Sequence, residues 1–466
     1  MEFPWHRISM LPLEDALFLM DRNSGRWTFA SKDVVSLVKL LPLPAETLPE
    51  DIIGRRDDLI ASMRRSGLGE AVPARRDTLN TVILKLTKAC NYGCRYCYDM
   101  EPEDAVTHMS LEIAVSIMEE AISLGTEGIT IILHGGEPTL LFPLIKEIVL
   151  AGEAIAERAG TAISFCGQTN LSRLDAEMVE FFQVHRVSWG VSLDGSAELN
   201  DKFRVLRDGT GTYVDFKRSL DRFPSFVKSC GVLSTITSSN DSELLAVARH
   251  FRDVGMYAWD WSLFQPVGMG RTQASQLAFS IKKVISSWNE LFDAVCEGEF
   301  DGFVVDPIVD YLRNFFVGSG KNMCLRQGCG AARDLLSIGN DGVIEACDCI
   351  DRKGPLANLG LVQIGDKDSL QRARTSDRAQ LIRSRDVELG KCGSCIWLAV
   401  CGGTCMAHAD SLNGVWEDEC SIAMNAFTRI AHSVSHSDRL LRYIKSLQGP
   451  MYSLKTIQAA GVLAQA

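Results

Sequence analysis

Residues 81–97 read Thr81-Val-Ile-Leu-Lys-Leu86-Thr-Lys88-Ala-Cys90-Asn-Tyr-Gly-Cys94-Arg-Tyr96-Cys97. The β-branched and apolar run Thr81–Leu86 predicts a strand. It leads into a loop with cysteines in the pattern CxxxCxxC. Three thiolates in one tight loop can hold three corners of a four-iron cube. No fourth cysteine completes the set nearby, which leaves one iron open to a small molecule, as in an open catalytic zinc site. A zinc site is the alternative on these residues alone.

Outward from that loop a strand–helix rhythm sets in. Strands are expected at Thr81–Leu86, Ile129–Leu133, Ala162–Cys166, Val187–Leu193, Gly231–Thr237 and Ala258–Phe264. Amphipathic stretches fill the gaps: Leu111, Ala114, Val115, Ile117, Met118 and Ala121 trace one helix, and Leu244, Ala246, Ala248 and Phe251 lie in another. Six strands alternating with helices imply a parallel sheet with covered faces. Short polar motifs follow several strands, at the ends where parallel α/β folds place their chemistry. Periodicity leaves a closed barrel and an open one equally available.

Before this core, Ala16–Met20 and Trp27–Ala30 read as strands around the turn Asn23-Ser24-Gly25. Ser31 opens a helix through Val34, Leu37 and Leu40, which Pro42 and Pro44 end. Arg55, Arg56, Arg64, Arg65, Arg75 and Arg76 mark the approach to residue 80 as a solvated linker. After the core, residues 275–320 read as a helical connector and Gly339-Asn-Asp-Gly342 as a hairpin turn. Residues 421–446 look helical, and 447–466 form a weak tail.

The chain has 466 residues, enough for two or three domains. Forty-eight Lys and Arg against 59 Asp and Glu give a net charge of −11, which argues against nucleic acid as the main partner. No apolar run is long enough for a membrane span, and Met1–Asp21 lacks a signal-peptide pattern. A cytoplasmic location is therefore expected. Fifteen cysteines in a reducing compartment point to metal or catalysis rather than to disulfides.

Cys90-x3-Cys94-x2-Cys97, with Tyr96 before the last cysteine, resembles the radical S-adenosylmethionine (radical SAM) enzymes. Supporting motifs stand in the expected order over about residues 81–270. Gly135-Gly136-Glu137-Pro138 follows the second strand and matches the segment whose backbone receives the amino group of SAM. Gln168-Thr169-Asn170 follows the third. Ser192-Leu193-Asp194-Gly195 ends the fourth and resembles the segment near the ribose and carboxylate of SAM, with Arg204 as its accompanying arginine. A radical SAM fold, a partial (β/α)6 TIM-like barrel, is what this resemblance implies. His134, before the two glycines, is read as a packed or hydrogen-bonded residue.

Nine further cysteines lie between residues 324 and 420. Cys392-x2-Cys395-x5-Cys401-x3-Cys405 is followed by Cys420, and upstream lie Cys324, Cys329 and Cys347. Eight thiolates suffice for two fully ligated four-iron clusters, and on spacing alone for two zinc sites equally. After a radical SAM core this pattern resembles the SPASM domain of peptide-modifying members. That resemblance implies one auxiliary cluster on Cys324, Cys329, Cys347 and Cys405, and a second on Cys392, Cys395, Cys401 and Cys420. Cys349 is near enough to replace Cys347. In sulfatase-maturing relatives an Asp at the place of Asp348 is thought to act as a base; an exposed or backbone-capping Asp is an equal alternative. Cys166 and Cys230 are read as packing residues, and Cys296 has no motif around it.

The expected layout is an N-terminal α+β region at 1–80, the radical SAM core at 81–310, a cysteine-rich SPASM domain at 311–425, and a C-terminal helix and tail at 426–466. The cofactors implied are SAM and three [4Fe-4S] clusters, and the partners a ribosomally made precursor peptide and a low-potential flavodoxin or ferredoxin. The N-terminal region could bind a leader peptide at a sheet edge; a capping subdomain is the plainer reading. The leading expectation is an enzyme that forms an intramolecular cross-link in the peptide, a cyclophane first and a thioether next. Formylglycine generation on a sulfatase is the runner-up. A non-catalytic iron–sulfur electron carrier and a zinc-ribbon interaction protein are the readings from other classes.

Overall fold

The computed structural model describes residues 3–40, 42–71, 77–101, 105–125, 128–318, 324–326, 328–409 and 414–447. Three antiparallel strands come first: β1 (Ile8–Pro12), β2 (Ala16–Asp21) and β3 (Trp27–Ser31), in that order. Alternation along β2 serves two cores. Leu17 and Leu19 pack with Leu37, Val38 and Met63 beneath two helices, Lys32–Leu40 and Glu50–Arg65. Phe18 and Met20 point the other way, into the main core.

Two expectations change here. β1 was not expected, because Pro12 and the short run Ile8–Leu11 give a weak strand signal. Residues 50–65, read as part of a solvated linker, form a helix with Arg56 and Met63 buried. Its charges mask the apolar positions Ile52, Leu59, Ile60 and Met63 that face the small core. Arg75, Arg76 and the tail after residue 447 lie outside the described residues.

The core strands follow as expected, within a few residues: β4 (Thr81–Lys85), β5 (Ile129–His134), β6 (Ile163–Thr169), β7 (Ser188–Ser192), β8 (Gly231–Ile236) and β9 (Ala258–Leu263). They are parallel neighbours in sequence order. The short strand β10 (Val304–Val305), too brief to read from the sequence, extends the sheet beyond β9. Beyond β4 the sheet continues with β11 (Leu335–Ile338) in parallel, then β12 (Val343–Glu345) and β13 (Asn358–Leu361) antiparallel. The described sheet is thus open, with ten strands. It crosses residue 311, so the regions expected at 81–310 and 311–425 share one sheet.

Side-chain caps start the crossover helices. Ser110 Oγ accepts from Ile113 N at 3.3 Å, and Asp175 Oδ1 from Met178 N at 2.9 Å. The helix Leu111–Leu124 buries Ala114, Ile117, Met118 and Ala121, the stripe its periodicity predicts. Residues 339–342 make the hairpin turn between β11 and β12, closed by Gly342 N to Gly339 O at 2.8 Å. Helices Glu417–His436 and Arg439–Ser446 cover the C-terminal side. No helix among the described residues is long and apolar enough to cross a membrane.

Candidate functional site

All five residues of β4 are buried, which anchors the cysteine loop at its C-terminal end. The loop is pinned on its far side by backbone bonds, Gly93 N to Val205 O at 2.8 Å and Arg95 N to Phe203 O at 3.0 Å. Cys90, Cys94 and Cys97 are free thiols. Burial pushes the Cys90 and Cys97 thiols up to about 12, and neighbouring negative groups, the other loop thiols among them, add to the effect. Three thiols that resist ionisation alone are what a cationic cluster would relieve.

The two glycines after β5 are needed for close approach. Gly136 N donates to Thr87 O at 2.7 Å and Glu137 N to Ala89 O at 2.8 Å. A Cβ on Gly136 would stand 2.1 Å from Ala89 O, and Gly135 has φ +127°. Pro138 is buried at the start of a short 3-10 turn. The Glu137 side chain fastens this loop to β6. Its Oε1 accepts from Thr139 N at 3.1 Å, Thr139 Oγ1 at 2.6 Å and Thr169 Oγ1 at 2.7 Å, and its Oε2 from Asn170 N at 2.7 Å. Asn170 Nδ2 in turn donates to Asn91 Oδ1 in the cysteine loop at 3.1 Å.

Tyr96, Asp194 and Arg204 form one buried unit. The Tyr96 hydroxyl donates to Asp194 Oδ2 and accepts from Arg204 Nη1 at 3.0 Å. Asp194 Oδ1 accepts from Thr235 N at 3.0 Å. Burial pushes the Asp194 carboxyl up, and the Arg204 guanidinium opposes that shift. Ser192 Oγ accepts from Gln168 Nε2 at 2.8 Å. The sequence-selected residues of β5, β6 and β7 are therefore brought together around the cysteine loop.

Asp348 joins this loop to the second cysteine field. The Tyr98 hydroxyl donates to Asp348 Oδ2 at 3.1 Å and lies 3.3 Å from His134 Nε2. Asp348 Oδ1 is 3.4 Å from Cys347 Sγ and 3.8 Å from Cys349 Sγ. Beneath them Lys85 Nζ lies 2.9 Å from Asp99 Oδ1 and 3.1 Å from Glu345 Oε2, all three buried. Tyr98, Lys85, Asp99 and Glu345 were not singled out from the sequence. A lysine inside an otherwise apolar strand is the signal that points to Lys85, since a buried charge demands partners.

The second field divides spatially. Cys392, Cys395, Cys401 and Cys420 line one cavity with Trp397 and Leu398. The Cys405 thiol is pushed up by burial and by the nearby Glu419, Cys324, Cys347 and Cys329. Cys349 is raised through its bond to Cys347, then by burial and by Asp348. Cys230 is buried; Cys166 is half-buried.

The family model of the Radical SAM superfamily matches residues 84–251. The chain is 26% identical over 364 residues to the serine-type anaerobic sulfatase-maturating enzyme of Klebsiella pneumoniae, covering 76% of this chain and 88% of that one. Its fold is similar to that of native anSMEcpe with bound AdoMet and Kp18Cys peptide, with a TM-score of 0.66 at 17% identity, over 82% of this chain and 99% of that one. It is similar also to Streptococcus suis SuiB bound to precursor peptide SuiA, with a TM-score of 0.52 at 15% identity, over 90% and 99%.

Proposed function

The chain carries a radical SAM domain at residues 84–251, and from that premise we propose that it is a peptide-modifying radical SAM enzyme. Its product is an intramolecular cross-link in a ribosomally made precursor peptide, a carbon–carbon cyclophane bond first and a thioether second. The observation that carries this reading is the 3.1 Å bond from Tyr98 to Asp348, which sets a carboxylate of the C-terminal region beside the first cysteine loop. A base placed there would lie between the cysteines that would hold the SAM-binding cluster and those that would hold an auxiliary one.

Cys90, Cys94 and Cys97 would hold the cluster that binds SAM; the donor set, three free thiols on one buried loop, fits it. Bound there and reduced, the cluster would supply, with SAM, the chemistry of hydrogen-atom abstraction from an unactivated carbon. Gly135, Gly136, Glu137, Pro138, Asn170, Ser192, Asp194 and Arg204 build the wall on which SAM would lie. Tyr96, held by Asp194 and Arg204, keeps the cysteine loop closed against water. Asp348 accepts a proton from the peptide, and Tyr98 orients its carboxylate. Cys324, Cys329, Cys347 and Cys405 would hold one auxiliary cluster. Cys392, Cys395, Cys401 and Cys420, around their shared cavity, would hold the other.

The strands β1 and β3 present edges to which a leader peptide could add. SuiB, solved with its precursor peptide, supports a peptide substrate. A low-potential flavodoxin or ferredoxin supplies the electron. Formylglycine generation is the second reading, favoured by the likeness to the Klebsiella enzyme.

The test is anaerobic. The reconstituted chain is assayed for iron, sulfide and, with dithionite and SAM, 5′-deoxyadenosine. About twelve irons and SAM cleavage are expected. A precursor peptide that loses two hydrogens supports the cross-link; a sulfatase peptide that gains an aldehyde supports the second reading. Iron-replete protein that leaves SAM intact, with and without peptide, overturns both.

A further inference from the structure

Arg385 stands where the two C-terminal groups of cysteines meet. Its Nη1 donates to Thr404 O at 2.9 Å, and its Nη2 to Gly403 O at 2.8 Å and Gly414 O at 2.7 Å. Gly403 and Thr404 belong to the short turn between Cys401 and Cys405. Cys401 faces the cavity it shares with Cys392, Cys395 and Cys420. Cys405 lies with Cys324, Cys329 and Cys347. The turn that Arg385 clasps therefore hands the chain from one group to the other. Gly402 and Gly403 both have positive φ, and a Cβ on Gly402 would stand 1.9 Å from the Arg326 backbone, so the turn has no room to shift.

Arg385 makes no ion pair among the described residues, and the Glu419 carboxylate acts on its charge only through space. Its hydrogen bonds run to backbone carbonyls, its Nε is buried without a partner, and among the described residues no carboxylate lies within ion-pair distance of it. The side chain lines a cavity with Cys329, and it acts electrostatically on Cys329, Cys405 and Cys392, members of both groups. Arginine keeps its proton throughout the accessible pH range. A fixed cation in a poorly solvated place interacts strongly with any charge that changes beside it.

We propose that Arg385 is a positioning residue that clasps the Cys401–Cys405 turn and, through its permanent charge, raises the reduction potential of the two auxiliary clusters on either side. The inference rests on the three-cluster reading above. Each cluster takes up one electron, from the substrate radical in turnover or from dithionite in the test, and passes from the 2+ to the 1+ state. A neighbouring cation favours the more negative form, so it eases that step.

The experiment uses the full chain with Cys90, Cys94 and Cys97 all replaced by alanine, so that only the C-terminal clusters load. Arg385→Gln and Arg385→Lys are made in that background. Iron is counted, and potentials are read by redox titration followed by electron paramagnetic resonance. The background should hold about eight irons. Arg385→Gln should keep them and lower both potentials. At the background midpoint its ratio of reduced to oxidised cluster should fall about tenfold, or 59 mV for one electron. Arg385→Lys should fall by less than about threefold, since it keeps the charge. Loss of iron from Arg385→Gln, with Arg385→Lys loaded and close to the background potentials, supports the same role for the charge. Full loading with unmoved potentials in Arg385→Gln overturns the proposal, as does equal loss of iron or an equal shift in both variants. A background without iron overturns the auxiliary-cluster reading itself, and the proposal with it.

Discussion

The Lys85 ammonium lies 3.1 Å from the Glu345 carboxylate, and this buried contact joins the two halves of the site. Lys85 ends the strand that leads to Cys90, and Glu345 stands two residues before Cys347. Asp99, two residues after Cys97, closes the group at 2.9 Å. Although burial opposes ionisation of Asp99, Lys85 and Lys88 hold its carboxyl below the ordinary range. The stability it contributes is present above the unfolded carboxylate range and is lost as pH falls through its lowered value. Lys85→Met removes the ammonium shared by two buried carboxylates, leaving Asp99 to Lys88 at 3.7 Å and Glu345 to Arg352 at 2.7 Å. It should destabilise the fold by about 1–3 kcal/mol, read as a lower urea midpoint.

Gly136→Ala should damage the first cysteine loop selectively. The added methyl meets Ala89 O and breaks the approach of the Gly-Gly turn to the loop. An overpacking cost of about 1–3 kcal/mol is expected. Iron analysis should show loss from the first set with the C-terminal clusters retained, and 5′-deoxyadenosine formation should fall with it. A variant with full iron and undiminished SAM cleavage would refute this.

Asp348→Asn should separate radical formation from product formation. Asp348 meets Tyr98 but none of the residues that hold the Gly-Gly turn. SAM cleavage should persist, while modified peptide should fall by about 10²–10⁴-fold, the usual contribution of a general base. Tyr98→Phe should show a smaller loss of the same kind, because it removes only the hydroxyl that orients the carboxylate.

His408 should make stability depend on mildly acid pH. Burial pushes its imidazole down to about 4 from the ordinary 6.5, beside the Trp416 ring. The unfolded chain then binds a proton more readily than the folded one. Stability is full above pH 6.5 and falls as pH drops towards 4, by about 3 kcal/mol at most. His408→Gln should flatten that part of the pH profile of the denaturation midpoint.

Trp27→Ala should loosen the N-terminal sheet from the core. Trp27 Nε1 donates to Phe315 O at 2.7 Å, and the two rings pack with centroids 4.8 Å apart. A loss of about 3 kcal/mol is expected. Hydrogen exchange should show β1–β3 losing protection ahead of β4–β9.

The sequence by itself determined the six core strands, the cysteine loop after β4 and the order of the motifs that follow β5, β6 and β7. These are local properties: a strand announces itself by its run of apolar residues, and a cluster-binding loop by its spacing. The helix at Glu50–Arg65 escaped because its arginines outweigh the few apolar positions that give it a buried face. Only the tertiary structure decided that β11 would extend the core sheet beside β4. From that pairing come the meeting of Tyr98 with Asp348, 250 residues apart, and the placement of Glu345 on Lys85. The sorting of the C-terminal cysteines around Arg385 is likewise a matter of folded loops. Contacts of that range depend on strand register and on how long loops close, and neither leaves a periodic trace in the chain.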